Sequence, residues 1–149
     1  MPQRSPAGEA LTDLILTVFR VNNLATAVGD RLAAPLGLTS ARWQVLGAVD
    51  YAERPQPVAW LARDLGANRQ NIQRIVNDLV RDGVLALEPN PHHKRAQLVV
   101  MTEKGRQAYQ SALASYDPVV NILAAELSLD ELKVAQGVLS ALRTKLEEQ

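Results

Sequence analysis

Apolar positions early in the chain recur at helical spacing. Between residues 9 and 34, Leu11, Leu14, Ile15, Val18, Ala25, Val28 and Leu32 fall on one side, with Asn22 as a polar interruption. Pro35 and Gly37 stop that helix. Thr39 can cap a second one, whose apolar positions include Trp43, Leu46 and Val49. The prolines of ERPQP (53–57) deny backbone donors and predict a turn or short extended segment. VAWLARDLG (58–66) predicts a short helix closed by Gly66, and Asn68 after it is a good N-cap. The spacing then predicts a helix over about 69–82, burying Ile72, Ile75, Val76, Leu79 and Val80 and ending at Gly83.

The pattern next changes to strand. VLALE (84–88) and RAQLVVM (95–101) flank the turn-rich tip PNPHHK and predict a hairpin. Within the second strand Ala96, Leu98 and Val100 share one face, Arg95 and Gln97 the other. Thr102 is placed to cap a long helix to about Glu126, in which Pro118 predicts a kink or break. Ser128 and Glu131 form a capping box that opens a last helix to about residue 147. The chain is thus expected to be mainly α with a small β-hairpin, a single domain over 9–149 behind a flexible tail at 1–8. The amphipathic helices at both ends leave apolar surface exposed unless a second copy covers it.

The helix at 69–82 has an unusual polar side. Arg69, Gln70, Gln73, Arg74 and Asn77 form one contiguous outer face. Arginine pairs with two acceptors on guanine, and Gln or Asn offers the donor and acceptor that match adenine. Arg and Gln are also good helix formers, so the face alone leaves a plain solvated surface open. The preceding short helix and tight turn make a helix-turn-helix pattern. The basic turn His92-His93-Lys94-Arg95 directly after it is placed to reach phosphates or a minor groove.

Composition narrows the field. The chain of 149 residues, 47% hydrophobic and 21% charged, suits one ordinary globular domain. No apolar run approaches the roughly 18 residues of a membrane helix, and no signal pattern opens the chain, so a cytoplasmic home is expected. The net charge is zero. Residues 51–100 nevertheless carry seven basic and five acidic groups, and residues 101–149 five and seven, so charge is locally uneven. Without cysteine there is no disulfide, thiolate nucleophile or thiol redox chemistry. Adjacent histidines on a hairpin point apart and lack further ligands, which argues against a metal. Nor is there a Gly-rich phosphate loop or a catalytic carboxylate pair, so neither an enzyme nor a cofactor is expected.

LARDLGANRQNIQRIVNDLVRDGVL followed by NPHHKRAQLVVMTEKG resembles the winged-helix core of the MarR family of bacterial transcriptional regulators. The resemblance implies a winged helix-turn-helix lobe (39–101), a long linking helix (102–126) and dimerisation helices (9–36 and 118–147) of an obligate homodimer. It implies that Arg69, Gln70, Gln73, Arg74 and Asn77 face the major groove, with Lys94 and Arg95 on the wing and Arg95 entering a minor groove. His93 stands where the family usually has an Asp two residues before that arginine. Proteins of this kind often bind aromatic acids or phenols between dimer core and DNA lobe. Trp43, Tyr51 and Trp60, with Arg20 and Asn22, are the candidates here, although both tryptophans also suit plain helix packing. The expectation is a homodimeric repressor on a pseudo-palindromic DNA operator, released by a small aromatic effector. The alternative is a winged-helix module that binds a protein instead.

Overall fold

A computed structural model describes residues 3–149. It divides into two compact units, one ending at Leu113 and one running from Ala114 to Gln149.

In the first unit, helix α1 (Pro6–Ala33) is capped by Ser5, whose side chain accepts from the amide of Gly8. Proline at the first helical position costs no hydrogen bond, so the helix starts inside the segment expected to be tail; residues 1 and 2 of that tail lie outside the described residues. The 3₁₀ turn Ala34–Leu36 ends at Gly37. Helix α2 (Ser40–Tyr51) is capped by Thr39, and Asp30 of α1 accepts from the amide of Ser40 at 2.7 Å. Strand β1 (Gln56–Pro57) leads into α3 (Val58–Asp64). Gly66, at φ 62°, closes α3, and the Ala67 amide reaches back to the Ala62 carbonyl at 2.9 Å. That left-handed residue turns the chain sharply into α4 (Arg69–Arg81).

Strands β2 (Leu85–Glu88) and β3 (Leu98–Met101) follow. The sheet has three strands, not two, in the antiparallel order β1-β3-β2. Sequence pattern concealed β1 because of its prolines, but an edge strand needs its donors on one side only. β3 is therefore central, and it begins at Leu98 rather than Arg95. Its inward residue is Val99, fully buried, while Leu98 and Val100 are half-buried. Leu98 and Val100 share one face as expected, while Ala96, expected with them, lies before the strand. Val99 joins Val45, Leu46, Leu61, Val76, Leu79 and Leu85 in the core that α2, α3, α4 and the sheet share.

The MTEKG segment locks the start of helix α5 (Glu103–Ala124) to the end of α4. Thr102 Oγ1 donates to the Gly83 carbonyl at 2.6 Å and accepts from the Gly105 amide at 3.0 Å. Lys104 Nζ donates to the Asp82 carbonyl at 2.8 Å. A Cβ on Gly105 would collide with the Val84 carbonyl oxygen, so this approach requires glycine.

Large apolar side chains remain exposed on α1, among them Phe19 at 61% and Leu24 at 70%. One 18-residue window of this segment reaches a mean hydropathy of 1.2, enough by length and composition for a membrane span. The segment is nonetheless no uninterrupted apolar run, since Asp13, Arg20, Asn22 and Asn23 lie within it.

In the second unit α5 continues through Pro118 without ending there, so of the kink or break expected at that residue the break is absent. Helix α6 (Leu129–Glu147) is capped by Ser128, which accepts from the Glu131 amide at 3.3 Å. It has no buried residue, and Val134 is 67% exposed.

Candidate DNA interface

Helix α4 is built to hold a polar face outward. Asn68 Oδ1 accepts from the amides of Gln70 and Asn71 at 2.8 and 3.2 Å, satisfying the first turn. Ile72, Ile75, Val76 and Leu79 bury the opposite side. Arg69, Gln70, Asn71, Arg74 and Asn77 are exposed, and Gln73 is half-buried.

These side chains are ordered by one another. Arg74 Nη2 donates to Asn71 Oδ1 at 2.7 Å, and Gln73 Nε2 to Asn77 Oδ1 at 2.9 Å. Each pair lies one helical turn apart, and each arginine or amide keeps further donors and acceptors for an outside partner. The helix itself is tied to α2: Arg42 reaches Asp78 at 3.4 Å and Asp82 at 3.7 Å, and Arg81 also meets Asp78 at 2.9 Å. Asp78 and Asp82 are thus part of what fixes the helix.

The wing tip is a structured loop. Asn90 Nδ2 donates to the Ala96 carbonyl at 2.9 Å, and Asn90 Oδ1 accepts from the His92 amide at 3.0 Å. His93 Nδ1 accepts from the Arg95 amide at 3.3 Å. The imidazole therefore supplies a short-range acceptor to the backbone of the very arginine whose usual Asp it replaces. Because the loop closes at Ala96, Arg95 belongs to the tip and not to a strand face. His92, His93, Lys94 and Arg95 are all exposed.

Helix and wing face a common cleft of about 350 Å³. Arg69 and Gln73 line it from α4, His93 and Arg95 from the wing, and Pro57 and Trp60 from the β1–α3 junction. Gln70, Arg74, Asn77 and Lys94 lie outside it. The arrangement puts guanidinium groups on both walls of a groove, the charge an anionic backbone requires, beside a face of guanidinium and carboxamide groups whose chemistry matches base edges.

The residues expected around an effector pocket are dispersed. Trp43 is buried in the core, Tyr51 is 91% exposed at the end of α2, and Arg20 and Asn22 are exposed on α1. Trp60, 52% exposed, lines the cleft, with the Arg63 guanidinium 5.5 Å from its ring centre.

A family model described as the MarR family matches residues 36–96. An uncharacterised protein of Mycobacterium tuberculosis is 40% identical over 103 residues, 69% of this chain and 71% of that protein. The chain belongs to the MarR family. The transcriptional activatory protein BadR of Rhodopseudomonas palustris is 33% identical over 104 residues, 68% of this chain and 59% of BadR. Among solved structures, the M. tuberculosis regulator MosR in complex with DNA superposes with a TM-score of 0.74 at 21% identity, over 89% of this chain and 96% of MosR. The protein is accordingly a winged-helix transcription regulator and not an enzyme. In this MarR-family lobe, sequence reasoning left Asn71 out of the outer polar face, although its spacing of three from Arg74 was the available signal. Arg42 carried no such signal, since it meets Asp78 across 36 residues of chain.

Proposed function

We propose that the protein is a homodimeric, sequence-specific repressor whose α4 helices enter successive major grooves, about 10 base pairs apart, on a pseudo-palindromic operator. Arg69, Gln70, Gln73, Arg74 and Asn77 read base edges; His93, Lys94 and Arg95 bind phosphate and the minor groove. The observation that carries this reading is the outward guanidinium and carboxamide face of a helix that is capped by Asn68 and anchored in the core. Segments 9–36 and 118–147 join two copies, 39–101 forms the DNA lobe and 102–126 links them. The apolar side chains exposed on α1 and on α6 support that division, since water-exposed surface of this kind favours a partner. A DNA target places the protein in the cytoplasm. Repression needs only occupancy of a promoter, whereas activation also needs a surface for the polymerase. The likeness to BadR, an activatory protein, favours activation as the second reading. Release follows when a small aromatic ligand binds one spacing of the two lobes better than the other.

Selection of bound duplexes from a random pool, with sedimentation of the free protein, tests this. A twofold-symmetric consensus and a dimer are expected. A pool without preference at low salt, or a monomer that binds with full affinity, overturns the reading.

A further inference from the structure

His93 is woven into the wing tip by its backbone and by its ring. Its amide donates to the Asn90 carbonyl and its carbonyl accepts from the Ala96 amide, both at 3.3 Å. Its ring nitrogen Nδ1 accepts from the Arg95 amide at 3.3 Å. Asn90 closes the same loop through the Ala96 carbonyl and the His92 amide. Of these bonds, the one to Nδ1 alone involves a titratable atom. An imidazole nitrogen accepts only while it carries no proton, so this bond needs the neutral ring, with its hydrogen on Nε2. A protonated ring sets one N–H against another at that place, and the bond is lost. Imidazoles change charge between about pH 5 and 8, where a carboxylate in the same position would go on accepting.

The charged groups across the cleft from the ring are Arg69 of α4 and Arg95 of the tip, and the other side chains lining it are uncharged. Lys94 adjoins His93 in the chain. An imidazolium therefore finds no carboxylate in this cleft to replace the bond it gives up. His92 stands apart: it lines a second cleft, of about 580 Å³, with Gln56 and Trp60, and its amide, not its ring, holds the loop.

We propose that His93 is a proton-operated latch on the wing. The neutral ring pins the Arg95 backbone; protonation frees it and adds a further cation to the tip. The bond is present above the imidazole range and lost as pH falls through it. The consequence for DNA rests on the reading above, whereas the latch does not. With the ring charged, attraction to any phosphate backbone rises while the placement of Arg95 is lost, so an operator gives up part of its lead over other duplexes.

The test is amide hydrogen exchange of the full chain without DNA, between about pH 5 and 8, with Arg95 referred to an unstructured peptide at the same pH. In the wild type, protection of Arg95 falls about fivefold toward acid, the worth of one hydrogen bond, while Val99 in the central strand stays protected. His93→Asn sets an amide oxygen close to the place of Nδ1, and protection holds at every pH. His93→Gln carries its amide past that place, and protection is low at every pH. His92→Asn keeps the wild-type profile. A wild type without pH dependence at Arg95, or an Asn variant that still loses protection in acid, overturns the latch. An equal loss at Val99 makes the change a general loosening and overturns it too. Anisotropy on operator and scrambled duplexes then reads the consequence: the ratio of affinities falls toward acid in the wild type and holds in His93→Asn. If exchange follows the latch while that ratio stays fixed, the effect on DNA is overturned and the latch stands. If duplex selection finds no preference, the DNA reading fails and the exchange result is untouched.

Discussion

Arg42 of α2 grips Asp78 of helix α4, Nη2 to Oδ2 at 3.4 Å, and bridges on to Asp82 at 3.7 Å. Both Arg42 and Asp78 are roughly three-quarters buried, so water screens this pair less than a surface one. A double-mutant cycle with Arg42→Ala and Asp78→Ala should return a coupling of about 0.5–1 kcal/mol in denaturant unfolding. Strict additivity of the two substitutions would show that the bridge holds nothing.

Arg74→Ala should cost about 1–3 kcal/mol on the selected operator and little on scrambled duplex, because a base contact is lost and a phosphate contact is not. Fluorescence anisotropy on both duplexes measures it. Equal losses on both would move Arg74 from reading bases to holding the backbone.

Lys94→Ala should weaken binding to all duplexes alike and lower the salt slope by about one. Titrations at several salt concentrations give the slope. Weaker binding at an unchanged slope would mean that Lys94 releases no counterion.

Gly105→Ala should lower stability by about 1–3 kcal/mol, since its methyl group meets the fixed carbonyl of Val84 and not a movable side chain. The melting temperature reports this. An unshifted melt would show that the α4–α5 junction yields freely.

Burial, and then the carboxylate of Asp50, raise the Tyr109 phenol above its ordinary value of 10.0. The folded chain thus keeps a proton that the unfolded chain releases. The contribution is complete below pH 10 and drains as pH rises through the folded value. Melting curves of the wild type and Tyr109→Phe between pH 8 and 11 should diverge only at the alkaline end. Parallel curves would remove Tyr109 from the account.

Periodicity made the helices and the outward face of α4 legible, because one turn of helix fixes which side Arg69, Gln73 and Asn77 share. It started the second wing strand three residues early, at Arg95 rather than Leu98, because the loop bonds that hold Arg95 and Ala96 at the tip leave no periodic trace. It also left open which face is buried, since alternation in four residues cannot reveal on which side the core lies. His93 was recognisable as a departure from the family pattern, but its bond to the Arg95 amide depends on a loop closed by Asn90. Trp60 was noticed as an aromatic, and only the fold shows that it stands between two clefts.

The bonds from Arg74 to Asn71 and from Gln73 to Asn77 mean that, on the proposed DNA reading, this helix comes to a duplex with its hands already joined. A correct base pair would then replace a broken self-contact with a better one, while an incorrect pair would leave both parties wanting. On that reading, self-satisfaction of the helix sets a threshold that random sequence fails to cross, and trades tightness for discernment.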